Sequence, residues 1–284
     1  MEFYQQVERS LTGQFRKSIW KKVCQAVDQY ALIQEGDRVA VCISGGKDSM
    51  LLAKCLQELQ RRWQVKFHLE FIAMDPGYRS ANRQQLEQNA ARLHIPLHLF
   101  DSPIFRIVEG ENSPCYLCAR MRRGYLYEQA AALGCNKIAL GHHFDDVVET
   151  ILMGMLYGSQ LQTMMPKLHS TNHPGMELIR PLYHVKEADI LRWRDTHSLA
   201  FLQCACRISE AATAGDMQGS SKRQEVKQLI AQLRQNNPNI DSNIFRSVHH
   251  VNLDTLISYQ LDGQVHNFLE RYDRHNPSTH QEEL

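Results

Sequence analysis

Arg38-Val39-Ala40-Val41-Cys42-Ile43-Ser44-Gly45-Gly46-Lys47-Asp48-Ser49-Met50 is the stretch on which the fold turns. The run from Arg38 to Ile43 is short, apolar and rich in β-branched residues, which reads as a strand buried on both faces. Met50 to Arg61 follows with the apolar spacing of a helix. Two adjacent glycines between strand and helix let backbone amides approach an anion unobstructed by side chains. Ser49 and the first helical turn add donors and the positive end of the helix dipole. Lys47 can neutralise phosphate charge, and Asp48 can help hold a magnesium ion. The spacing fits neither the longer NTPase loop ending in Gly-Lys-Ser/Thr nor the dinucleotide fingerprint.

Outward from this loop, helices and strands alternate. Residues 1–35 read as helix, with Ile19, Val23, Val27 and Leu32 near helical spacing. His68 to Met74 is a second strand, closed by the turn signal Asp75-Pro76-Gly77. Helices are expected over Asn82–Leu93, Tyr125–Leu133, from about Gly141 to Tyr157, and over Val185–His197. Further strands are expected at Leu97–Phe100, Lys137–Leu140 and Leu199–Leu202, with loop and strand between Thr171 and Pro181. This order implies an α/β fold, a parallel sheet with helices on both faces joined by right-handed crossovers. Residues 1–35 form an N-terminal helical segment and 36–210 the main domain. Residues 211–284 form a small helical appendage, with a mobile loop at Ala211–Ser221, a charged helix to Asn236 and a disordered tail after Tyr272.

Open α/β sheets bind ligands beyond the carboxyl ends of their strands. That makes Met74 and Asp75, at the end of the second strand, candidates for a ligand pocket, although a turn role explains Asp75 equally well. After the strand Lys137–Leu140 comes Gly141-His142-His143-Phe144-Asp145-Asp146. Asp145 and Glu149 share a helix face, and carboxylates near a phosphate loop suit magnesium. A cap with solvated acids is the plainer alternative.

Of the eight cysteines, Cys24, Cys42, Cys55 and Cys135 sit in apolar or helix-like contexts and read as packing residues. Cys115 and Cys118 form a CxxC, and Cys204 and Cys206 a CxC. Zinc, an iron–sulfur cluster and redox chemistry are all open to such pairs. Arg120, Arg122 and Arg123 follow the first pair and, with Lys222 and Arg223 at the start of a later helix, are candidates for nucleic-acid phosphates; Lys167, Arg180 and Arg207 are weaker ones.

The 284 residues, 43% of them apolar, suffice for a sizeable core. A net charge of +1 leaves any nucleic-acid contact to a local basic face. Apolar runs are short and broken by charge, so no membrane segment is expected. Met1 to Arg9 lacks the apolar core of a signal peptide, which points to the cytoplasm and away from a disulfide framework.

Together the motifs carry a resemblance. Ser44 to Ser49 resembles the PP-loop of N-type ATP pyrophosphatases, with an adenine nucleotide alpha hydrolase-like fold. With Pro114–Gly124 and Leu140–Asp146 it is similar to the TtcA family of tRNA 2-thiocytidine synthetases. The resemblance runs from about Glu35 to Cys206. It implies ATP and Mg2+ bound by Ser44, Gly45, Gly46, Lys47, Asp48, Ser49, Met74, Asp75, Gly141, His142, Asp145 and Asp146. It also implies a [4Fe-4S] cluster held by three cysteines: Cys115, Cys118 and either Cys206 or Cys204. The family usually shows CxxC at the last pair, so the CxC here leaves that choice open, with Cys206 favoured. Asp48, Asp146 and the three cluster cysteines would carry the chemistry. The implied partners are tRNA and a sulfur donor such as a cysteine desulfurase, and a homodimer is compatible. Two alternatives stand beside this: a lysidine-synthase-like PP-loop ligase with an amine nucleophile, and a non-catalytic zinc and nucleotide-binding module.

Overall fold

The computed structural model describes residues 1–108, 114–202 and 222–272. They fall into two compact units, Met1–Leu229 and Ile230–Leu284.

The first unit is built on a six-stranded sheet. Its strands are β1 (Arg38–Cys42), β2 (His68–Asp75), β3 (Leu97–Asp101), β4 (Lys137–Ala139), β5 (Lys167–His169) and β6 (Glu177–Ile179). Their order is β3-β2-β1-β4-β6-β5. Every pairing is parallel except β5 with β6, a short antiparallel edge that the sequence reading did not anticipate. The chain winds to one side of β1 through β2 and β3, then returns to the other side at β4. The carboxyl ends of β1 and β4 therefore flank the topological switch point, where open sheets bind ligands.

Alternation along β1 distributes its side chains between two layers. Ala40 and Cys42 join Ile72, Met74 and Ile138 in a buried cluster. That cluster is covered by Ile104 of helix α5 (Ile104–Val108) and by Leu126 and Ala130 of helix α6 (Pro114–Ala132). On the other face, helix α3 (Lys47–Arg62) contacts both β1 and β2 and buries Leu51, Leu52, Cys55 and Leu56. Burial raises the thiols of Cys42 to about 12 and Cys135 to about 11, and raises Cys55 too. These three are inert packing residues, and half-buried Cys24 is raised to about 11 as well.

The N-terminal segment is not one helix. Gly13 ends α1 (Phe3–Thr12), and a wide turn over Arg16–Trp20 leads into α2 (Lys21–Gln29). The segment is fastened to α3 by the fully buried Lys54, whose ammonium lies 2.6 Å from Glu8 and 2.7 Å from the Leu93 carbonyl. Removing one member of such a pair strands a buried charge, which costs about 3–5 kcal/mol.

Two other expectations change. The α6 helix starts at Pro114, well before Tyr125, with proline at the position where its missing N–H is harmless. Leu199–Leu202 joins no ladder among the described residues; the Leu202 N–H donates instead to the Gly45 carbonyl at 3.1 Å. The remaining helices of this part are α4 (Ser80–Arg92), α7 (Phe144–Gly158) and α8 (Glu187–Thr196). The helix expected from Ser221 is α9 (Lys222–Asn236). The expected loop at Ala211–Ser221 and the tail after Tyr272 lie outside the described residues.

Within the second unit, α10 (Ile240–Ser247) is held by Asp241, 2.8 Å from Arg234. A hairpin of β7 (Ser258–Leu261) and β8 (Gln264–Asn267) and a final turn α11 (Leu269–Tyr272) follow. The sequence reading assigned helix here and passed over Asp262-Gly263, whose positive φ angles of 49° and 78° make the hairpin turn.

Candidate active site

Gly45 adopts φ +83°, and Gly46 caps α3 with extended backbone. A Cβ at Gly45 would lie 2.6 Å from Leu202 Cδ1, so both the conformation and the packing select glycine. Ser49 braces the loop: its Oγ accepts from the Ser44 amide at 3.1 Å and donates to the Gly46 carbonyl at 3.0 Å. The Lys47 ammonium is held 3.1 Å from both Asp48 and Glu187. Burial opposes its charge, but the two carboxylates outweigh that and raise its pKa. Burial alone would raise Glu187; hydrogen bonds and charge from Lys227 and Lys47 hold it at about 2.

The second loop lies against the first. A Cβ at Gly141 would approach the Ser49 nitrogen at 3.0 Å and the Asp48 carbonyl carbon at 3.1 Å. Only glycine lets these two backbones touch. The His143 amide donates to Asp146 at 3.0 Å, capping α7, and His143 Nε2 lies 3.8 Å from Asp48 Oδ1. That Asp48 oxygen is buried and has no hydrogen-bond partner among the described residues. A buried carboxylate oxygen left bare costs free energy unless a ligand or cation supplies the partner.

Arg180 donates from Nε to His142 Nδ1 at 3.3 Å and also to the Met165 carbonyl. Burial, reinforced by the Arg180 charge, lowers His142 to about 4. His142 is therefore neutral near pH 7, with its proton on Nε2, where it can donate to an oxyanion. Burial, then the nearby Arg123 charge, lowers Arg180 itself to about 10.

These loops and α6 enclose a cavity of about 400 Å³. Ser44, Asp48, Ser49, Met74, His142 and Asp146 line it, together with Arg122 and Arg123. Cys42, Leu126, Ile138 and Leu140 give it an apolar side suited to a purine ring. The Arg122 Nε is buried and lacks a partner among the described residues. On the outer side of the loop, Gly46 and Lys47 border a second space of about 660 Å³ reaching Arg194 and Leu199.

Three predicted residues have their side chains engaged elsewhere. The Asp75 carboxylate accepts from the Gly77 and Tyr78 amides at 2.8 and 2.7 Å and pairs with Arg83 at 3.0 Å. Asp145 accepts from the Glu187 amide at 2.7 Å, at the start of α8. Arg223, assigned to RNA phosphate from the sequence, reaches Glu149 at 3.2 Å and Asp146 at 4.0 Å. Glu187, Lys227 and Leu202 were missed; Glu187 looked like an ordinary acidic first-turn residue, and the other two carried no local signal.

Cys115 and Cys118 occupy the first turns of α6, one turn apart, so their positions share a helix face. Their side chains, and Cys204 and Cys206 entirely, lie outside the described residues. Arg122 follows Cys118 by one helical turn, ~6 Å along the axis. The hydrogen bond from Leu202 to Gly45 anchors the chain just ahead of Cys204 to the phosphate loop. A CxxC in the first turns of a helix is a ligand pattern that suits a thiolate-bound cluster. Among the described residues no group of three or more His, Cys, Asp or Glu forms a metal site.

Comparison with known proteins agrees. Residues 15–207 match the PP-loop domain family. The tRNA-cytidine(32) 2-sulfurtransferase of Pelobacter propionicus is 35% identical over 245 residues, 85% of this chain and 88% of the relative. That of Geobacter sulfurreducens is 34% identical, covering 86% and 94%. Among solved structures, the U34-tRNA thiolase NcsA from Methanococcus maripaludis with its [4Fe-4S] cluster has the same fold. It superposes with a TM-score of 0.63 at 23% identity, over 92% of this chain and 85% of that one.

Proposed function

Because the chain belongs to the PP-loop domain family, and within it to the tRNA-cytidine(32) 2-sulfurtransferases, we propose that it is an ATP-dependent tRNA sulfurtransferase. It activates the C2 carbonyl of an anticodon-loop cytidine and exchanges that oxygen for sulfur. One observation carries this reading: a single cavity is walled by the phosphate loop and His142–Asp146 on one side and, on the other, by the helix that begins with Cys115 and Cys118.

The chemistry follows from the donors present. A base carbonyl oxygen is a poor leaving group. Its attack on the α-phosphorus forms an O–P bond, breaks the bond to the β-phosphate oxygen and releases pyrophosphate. Ser44 and the first turn of α3 at Asp48 and Ser49 border the cavity and offer donors to the phosphates, with Gly45, Gly46 and Lys47 completing the loop behind them. Asp48 Oδ1 and Asp146 suit Mg2+, which would neutralise charge on the departing pyrophosphate. Neutral His142 and Arg122 face the same space and can donate to the oxygens on which charge develops. A sulfur nucleophile then adds at C2, and AMP departs with the former carbonyl oxygen.

Cys115, Cys118 and either Cys206 or Cys204 would hold a [4Fe-4S] cluster, which when bound supplies sulfur delivery. The relatives' shared name favours sulfur over an amine nucleophile. No helix among the described residues is long and apolar enough to cross a membrane. The reading implies a cytoplasmic enzyme with a cysteine desulfurase as sulfur source, and it is compatible with a homodimer.

The test is anaerobic incubation of the iron-loaded protein with ATP, sulfide and unmodified tRNA, followed by nucleoside mass spectrometry. The expected outcome is RNA-dependent AMP formation with 2-thiocytidine in equal amount. RNA-dependent AMP without any thiolated nucleoside would contradict the reading.

A further inference from the structure

Helix α6 has a second cavity on its other flank. It measures about 820 Å³, lies against the loop between β5 and β6, and has Arg123 in its wall as the first cavity does. Arg120 and Arg123 contribute two guanidinium groups, and none of its described lining residues is a carboxylate. Tyr127 and His173 stack across the helix–loop boundary with ring centroids 4.8 Å apart and planes 13° apart. Tyr127 is buried, while His173 is half-buried and lines the cavity. The loop is fixed by its own hydrogen bonds, His173 N to Ser170 Oγ at 3.1 Å and Ser170 N to the Met176 carbonyl at 2.9 Å. Asn172 and Ser170 add donors and acceptors to the rim.

Two guanidinium groups on a wall without carboxylates call for an anion; Glu177, 3.6 Å from the lining His169, is already paired with Lys137 and Lys167 at 3.0 and 3.3 Å. A flat imidazole backed by a tyrosine offers a stacking platform, and amide and hydroxyl groups can read a base edge or a 2′-hydroxyl. The volume accommodates a nucleotide. Because Arg123 borders both cavities, one sugar–phosphate backbone can run from one to the other, a continuity that a free mononucleotide would not use. We propose that this cavity holds a nucleotide of the RNA flanking the one that reacts, its base stacked on His173 and its phosphate between Arg120 and Arg123. The assignment rests on the tRNA reading above and adds a site that the activation chemistry does not require.

The experiment uses the full-length, iron-loaded protein and a hairpin RNA comprising an anticodon stem and loop. Binding is read by fluorescence anisotropy and turnover by thiolation. Losing one stacked base is worth roughly a five- to 150-fold weakening. His173→Ala should raise the RNA Kd and KM by that factor, with kcat at saturating RNA and the KM for ATP within about twofold. His173→Phe, which keeps a stacking face, should restore both; a merely structural role for the imidazole predicts no such rescue. Arg120→Gln should lower the salt slope of log Kd by about 0.7, the value for one single-strand phosphate contact. An unchanged Kd in His173→Ala, or a loss that His173→Phe leaves in place, overturns the proposal. Wild-type protein that binds the hairpin through His173 yet thiolates nothing would overturn the functional reading while supporting the cavity.

Discussion

Replacing Gly141 by alanine should separate two loops whose contact makes the active site. The added methyl would stand 3.0 Å from the Ser49 nitrogen, 3.1 Å from the Asp48 carbonyl carbon and 3.3 Å from its oxygen. Comfortable contact for a carbon begins near ~3.5 Å, so the backbones must part by roughly half an ångström. Neither partner is the end of a flexible side chain. Asp48 and Ser49 are in the first turn of α3, and Gly141 is tied through Leu140, whose amide bonds the Ile179 carbonyl at 3.0 Å. Overpacking of this kind costs about 1–3 kcal/mol, which for a protein of this size lowers Tm by about 2–5 °C. The functional loss should be larger. Misplacing reacting groups by about 1 Å costs about a hundredfold, so half that displacement predicts roughly a tenfold fall in kcat for RNA-dependent AMP formation. Gly158→Ala, where a methyl meets nothing within 4 Å, is the matched control and should leave both stability and rate unchanged or slightly improved. The reasoning is refuted if Gly141→Ala retains wild-type kcat and Tm.

Three further outcomes are expected. Asp48→Asn removes a carboxylate whose buried Oδ1 has no hydrogen-bond partner among the described residues, so RNA-dependent pyrophosphate release should fall on the order of a hundredfold or more, while Lys47 keeps its pairing with Glu187; normal release would remove Asp48 from the chemistry. Cys115→Ala should abolish 2-thiocytidine formation yet leave the Kd for ATP within about threefold; persistent thiolation would exclude this cysteine as a ligand. His142 binds its proton only below about 4 in the folded chain, against 6.5 ordinarily. Between those values the unfolded chain holds more protons, so stability falls as pH drops through that window, by at most about 3 kcal/mol. Denaturant unfolding from pH 7 to 4.5 should show that fall, reduced in His142→Asn; parallel curves for the two proteins would contradict it. Glu187, held at about 2, contributes its stability above the ordinary carboxylate range and loses it only at lower pH.

How much could be read in advance depended on whether the signal was local. The phosphate loop is local: strand, two glycines and helix follow one another, and the structure reproduces them as β1, Gly45 at positive φ, and α3. The His142–Asp146 segment is local too, but its division of labour is not. Asp146 faces the cavity while Asp145 accepts from the amide of Glu187, a residue brought there by α8. Asp75 reads as a turn residue or a ligand until Gly77, Tyr78 and Arg83 are seen around its carboxylate. Leu202 belonged to an expected strand, yet its amide found the Gly45 carbonyl, a long-range pairing without periodicity. Arg223 shows the same limit from the other direction. A basic residue at a helix start suggests phosphate, and only the fold reveals the buried Glu149 beside it. Arg180, hidden behind His142, fixes a tautomer that no spacing rule exposes.

The central claim is that the base oxygen leaves with AMP. It can be followed directly by offering the iron-loaded enzyme ATP, sulfide and tRNA whose reactive cytidine carries oxygen-18 at C2. The account predicts one heavy oxygen in the phosphate of each AMP and sulfur in the base. Unlabelled AMP alongside thiolated tRNA would contradict it, because the oxygen would then have left without passing through an adenylated base.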